Sequence, residues 1–207
     1  AVLRRTADAL DARLPEFCAL LVKEAHKTLG DCVAEVREAV DFCRYYADQA
    51  QARLGEQTLP GPTGERNVYQ VHARQRVLCL VGQQRTAADD LLAQLAAVLA
   101  VGGTAVWDAH HPAATRLHAL LPATVQAHIH LRNDWSQADA DAALCHGLPT
   151  DHLHTAQVLA QCSGPIVTLT TLPPGAAVPL ARLVTERSIS TNTAAAGGNA
   201  SLMTLGA

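Results

Sequence analysis

Hydrophobic positions in the first quarter of the chain recur at helical intervals. Val33, Val36, Val40, Cys43 and Ala47 follow one another in three- and four-residue steps, so they line one face of a long helix. Glu35, Glu38, Asp41 and Asp48 fall opposite and read as its solvated side. Such a stripe needs a partner surface. Residues 1–54 as a whole carry few strand signals and predict helices broken at Pro15 and around Gly30.

The pattern changes near residue 55. Leu59-Pro60-Gly61-Pro62-Thr63-Gly64-Glu65-Arg66-Asn67 holds two prolines and two glycines, which forbid a regular helix or central strand, so 55–75 predicts a linker or fixed turn. Arg76-Val77-Leu78-Cys79-Leu80-Val81 is an apolar run of strand length, followed by Gly82 and a polar turn. Thr86 is placed to cap a helix, with Asp89 three residues on. Leu91, Leu92, Leu95, Val98 and Leu99 then line one face before Gly102-Gly103 ends it. The alternation continues with strands at 104–107, 127–131, 142–146 and 165–169, and with helices at 111–121 and 151–161. A last helix is expected from Pro179, burying Leu180, Leu183 and Val184. After Arg187 the chain turns extended and then rich in small residues.

Repeated strand–helix units require crossover connections. The expected fold is therefore α/β and Rossmann-like, a mostly parallel sheet with helices on both faces over residues 76–190, plus the helical appendage 1–54 and a tail 191–207. A chain of 207 residues that is 49% hydrophobic has enough apolar side chains for a substantial core. The formal charge of −3 supplies no basic field to draw it onto nucleic acid or anionic lipid. The six cysteines show no CxxC pair and read as reduced core residues. No signal-like segment opens the sequence and no apolar run reaches the roughly 18 residues of a membrane span, so the expected compartment is the cytoplasm.

Three chemical readings compete with structural ones. Gln161-Cys162 is superficially like the context of a nucleophilic cysteine, but it falls at a predicted helix end before Ser163-Gly164, where a core or surface cysteine is the plainer reading. Gly82-Gln83-Gln84-Arg85-Thr86 follows a strand, yet offers one glycine where close approach of a pyrophosphate calls for three, and Gly102-Gly103 follows a helix instead. His110-His111, His128 with His130, and His152 with His154 lack cysteine or carboxylate neighbours at ligand spacing, and a helix splays the last pair apart. The sequence thus nominates no catalytic, cofactor-binding or metal residue in this chain.

A resemblance adds to this picture. Glu24-Ala25-His26-Lys27-Thr28 and the run from Ala34 to Tyr46 resemble the N-terminal helices of the aldehyde dehydrogenase domain in the proline utilization A family; His26 stands where that family usually has glycine. Leu59 to Asn67 resembles the start of the extra C-terminal domain of its long members. Glu186-Arg187-Ser188 with the run Asn192 to Thr204 resembles their terminal signature. In that family a complete dehydrogenase core separates the helix ending near Tyr46 from the Leu-Pro-Gly-Pro-Thr-Gly-Glu segment, whereas here only a few residues do. The parent activity implied is proline to glutamate by way of glutamate semialdehyde, with FAD and NAD as cofactors. The expected cysteine, glutamate and cofactor motifs are missing from this chain.

The resemblance implies a non-catalytic lid and interaction module whose partner is the dehydrogenase domain of the parent protein. Its docking tail would be carried by Thr191, Asn192, Thr193, Gly197, Gly198, Asn199, Leu202 and Met203. Composition alone reads the same residues as a frayed end, since small side chains bury too little to offset ordering. The rival expectation is a residual NAD-dependent dehydrogenase or nucleotide-binding activity.

Overall fold

The structure, a computed structural model, describes residues 2–83 and 87–193. Helices α1 (Val2–Ala12), α2 (Leu14–Ala25) and α3 (Leu29–Arg53) come first. Pro15 sits in the first turn of α2, where its missing N–H costs nothing, and the break falls just before it at Arg13. Gly30 likewise lies inside the first turn of α3. The interruption is His26–Thr28, with Thr28 capping α3 by accepting the Asp31 N–H at 3.2 Å.

Strands β1 (Gln57–Leu59) and β2 (Glu65–Ala73) follow, then β3 (Arg76–Val81), α4 (Ala87–Val101), β4 (Thr104–Asp108), α5 (Pro112–Leu120), the short α6 (Ala123–Gln126) and β5 (Ile129–Arg132). After them come β6 (Ala142–His146), α7 (Pro149–Gln161), β7 (Thr168–Leu172) and β8 (Val184–Asn192). Strands β5-β4-β3-β6-β7 form a five-stranded sheet, parallel throughout, and β1-β2-β8 form a three-stranded antiparallel one. The α/β architecture expected from the pattern is therefore present.

Alternation along the central strands sorts the core into two layers. Val77, Cys79, Ala105, Trp107, Ala142 and Leu144 point to the side of α4 and α5, and Leu3, Ala7, Val40, Cys43 and Tyr46 join the same cluster from α1 and α3. Leu78, Leu80, Val106, Ala143 and Cys145 point the other way, beneath Leu159 of α7 and Trp135. Helix α4 lies between the sheet and α3, which is why Ala93, Ala96 and Ala97 are buried along with Leu91, Leu95 and Val98. A helix buried on two sides does not show a single stripe. Gly102, with φ 89°, closes α4: the Gly103 N–H reaches the Val98 carbonyl at 3.0 Å.

Several boundaries differ from the sequence expectation. Residues 55–75 are no bare linker: the prolines and glycines form the turn between β1 and β2, and Asn67 closes it by donating to the Pro60 carbonyl at 3.3 Å. The helix expected from Pro179 is a single 3-10 turn, Leu180–Leu183, because Val184 and Thr185 already pair with Ala73 and His72. The last parallel strand runs 168–172, not 165–169; Pro165 has no N–H to give a ladder, and Ile166 is 98% exposed. Thr86, the proposed cap of α4, lies outside the described residues. No helix among those described is long and apolar enough to cross a membrane.

Candidate functional site

In a parallel α/β sheet, the crevice that takes ligands lies outside the carboxyl ends of the strands, where successive crossovers leave in opposite directions. Here that point falls between β3 and β6, because the chain passes from β3 through α4 to β4 on one side and returns to place β6 on the other. Residues 90 and 94 stand one turn apart on α4 and face this point, while 142, 144 and 146 alternate onto the α4 side of β6.

Polar side chains fill it. Gln94 Nε2 donates to the Leu80 carbonyl at 3.0 Å and lies 2.8 Å from His146 Nδ1. An amide nitrogen only donates, so Nδ1 accepts and the ring keeps its proton on Nε2, which donates to the Ala176 carbonyl at 2.8 Å. Asp90 Oδ1 accepts from the Gly175 N–H at 2.8 Å and stands 3.9 Å from His146 Nε2. Asp90, Gln94 and His146 are 2%, 0% and 0% exposed. Buried groups of this kind are tolerated only when hydrogen-bonded. Gln94 Oε1 is nevertheless a buried acceptor that finds no partner among the described residues.

Gly175 and Ala176 belong to a strap, Pro173–Val178, that leaves β7 and crosses to the α4 face. Gly175 turns it with φ 77°, and the Val178 N–H donates to the Tyr46 hydroxyl at 2.8 Å. Beside it, at the ends of β3 and β4, the remaining cavity is about 20 Å³, bordered by Cys79, Asp108 and His111. That volume holds one water. A ligand of dinucleotide size needs a cleft of hundreds of Å³, on the order of 300–1,000 Å³. The cavity at the ends of β3 and β4 is far smaller than that.

The other sequence candidates disperse. Cys162 caps the end of α7, and its thiol is engaged by the Ser136 and Val158 carbonyls at 3.1 and 3.3 Å. His111 caps α5 by accepting the Ala113 N–H at 3.3 Å and faces the Gly82 carbonyl at 3.3 Å, while His110 is exposed. His152 Nε2 bonds the Leu172 carbonyl at 3.1 Å; His128, His130 and His154 are exposed. Among the described residues no group of three or more metal-ligating side chains converges. Burial pushes the Cys43, Cys79 and Cys145 thiols up, away from the thiolate that nucleophilic attack requires. Of the docking-tail residues, Thr191 and Asn192 pair with Arg66 and Glu65 on β2, and the Thr193 N–H donates to the Gly64 carbonyl at 2.7 Å. Gly197, Gly198, Asn199, Leu202 and Met203 lie outside the described residues.

Sequence reasoning missed Asp90, Gln94, His146 and Tyr46. A signal was present. Asp90 and Gln94 are polar positions one turn apart in a helix whose only other polar residue is Asp89, and His146 ends an apolar strand.

The sequence profile of the aldehyde dehydrogenase family matches residues 1–129, through the helices and into the parallel sheet. This chain belongs to the aldehyde dehydrogenase family. It is 46% identical over 176 residues to the bifunctional protein PutA of Salmonella typhimurium and 41% identical over 184 residues to that of Escherichia coli. These matches take in 80% and 86% of this chain but only 12% and 13% of those proteins. A solved structure of proline utilization A with proline bound in remote sites superposes with a TM-score of 0.66 at 30% identity, over 83% of this chain and 19% of that one. The chain thus spans a small part of the relatives it matches.

Proposed function

We propose that this chain is a catalytically silent structural and interaction module of a proline-catabolic enzyme in the cytoplasm. Its partner is the aldehyde dehydrogenase domain of the parent protein. The parent chemistry, proline to glutamate through glutamate semialdehyde with FAD and NAD, takes place elsewhere in that protein. The similarity to PutA over most of the chain supports the assignment to that pathway. The observation that supports the silence is the crevice at the ends of β3 and β6, whose buried polar side chains Asp90 and His146 are already bonded to the strap. Oxidation of an aldehyde requires a thiolate, a proton-handling carboxylate and a hydride acceptor together. The Cys162 thiol is instead engaged by two backbone carbonyls.

The tail beyond Thr193 is the docking element. Segments of small residues gain little from burial on their own and order when a preformed surface accepts them. The test mixes this chain with a family dehydrogenase core that lacks its own C-terminal domain. Binding and improved transfer of the semialdehyde are expected with the intact chain, and both are expected to fall when it is truncated after Thr193, a cut that spares the pairing of β8 with β2. Equal binding and transfer by the truncated chain would reduce the tail to a frayed end. NAD-dependent turnover by the chain alone would favour the rival reading, a residual dehydrogenase.

A further inference from the structure

Loops ordinarily run over the surface because buried backbone must find partners. The strap Pro173–Val178 also lies at the surface, with Pro173, Gly175 and Ala177 exposed, yet it turns its polar groups inward onto side chains from separate elements: Gly175 N–H on Asp90 of α4, Ala176 carbonyl on His146 of β6, and Val178 N–H on Tyr46 of α3. These partners stand 85, 30 and 132 residues away in sequence. Burying a carboxylate at 2% exposure and an imidazole at 0% is costly without such bonds. The strap supplies a partner to each. Lifted away, it would leave Asp90, the His146 Nε2–H and the Tyr46 hydroxyl lining an open polar crevice.

We infer that the strap is an intramolecular plug, latched jointly by Tyr46, Asp90 and His146, which holds the crevice between β3 and β6 shut under control of the helical layer. The three bonds fall on a four-residue stretch, 175–178, so loss of one loosens the others, and Tyr46 makes α3 part of the latch. This goes beyond the proposed module role and does not depend on it.

Hydrogen exchange on the full chain tests the latch, and alkylation of Cys79 tests the plug, because Cys79 borders the remaining cavity while Cys145 lies on the opposite sheet face. Tyr46→Phe removes the acceptor for Val178 and is expected to speed exchange at both Val178 and Gly175 by about tenfold or more, with β3 and β6 unchanged. Asp90→Ala, which removes the acceptor for Gly175, is expected to act reciprocally on Val178. Cys79 is expected to label faster in both variants, and Cys145 to stay as it was. If each substitution speeds only the amide it touches, or if Cys79 labelling does not move, the latched plug is wrong. Should Tyr46→Phe fail to fold, Asp90→Ala carries the same reading alone.

Discussion

His26 ends α2 in the left-handed conformation, φ 52° and ψ 34°, and among the described residues it is the one non-glycine with positive φ. A side chain there strains the backbone, so His26→Gly is expected to raise stability by about 1 kcal/mol, read from denaturant midpoints. The sequence already pointed to this position, since the resembling helices usually carry glycine there; the dihedral supplies the reason. The thiols give a second prediction at the same scale. Burial raises Cys43, Cys79 and Cys145 above the ordinary thiol value of 9.0, and it raises Tyr46 against the opposing bond from Val178. Groups whose folded pKa is raised contribute stability that is complete below their unfolded pKa and is lost as pH climbs through the folded one. The chain is therefore expected to lose stability above about pH 9, within the range where free thiols ionise. Thermal melts at rising pH check this, and a flat alkaline limb would count against these burials.

At the scale of elements, α3 does two jobs. Val40, Cys43 and Tyr46 join the main core against α4, whereas Val36 and Cys32 pack with Cys18 in a separate small cluster beneath α2. The stripe read from the sequence is thus correct in membership but divided in partner, and three- and four-residue spacing has no means of showing where one partner ends. A groove of about 500 Å³ beside Leu14, Cys18, Val22 and Leu29 leaves the outer side of α2 apolar and open. Hydrogen exchange is accordingly expected to grade along α3, with α2 and the turns near Cys32 opening at lower free energy than Val40–Tyr46, which should follow the sheet. Uniform protection from α2 to β3 would contradict this division. Leu91→Ala, which opens space beneath α4 at 1% exposure, is expected to cost about 2–5 kcal/mol. The parallel strands were legible because they are short apolar runs bounded by turns. Strands β2 and β8 were not, since Glu65–Ala73 and Val184–Asn192 are mostly polar and depend on each other across more than a hundred residues.

The whole molecule joins helices and sheet through shared core. Profile and structure comparisons both match across that junction, and the Tyr46–Val178 bond crosses it. Composition and motif spacing revealed the class of fold. They did not reveal why the crevice is closed, because the strap follows the last parallel strand and meets α3 only in three dimensions. The most direct measurement of silence is an assay of the purified full chain with glutamate semialdehyde and millimolar NAD, following NADH. The account predicts no formation above the protein-free background. NADH production that disappears on Cys162→Ala would contradict it.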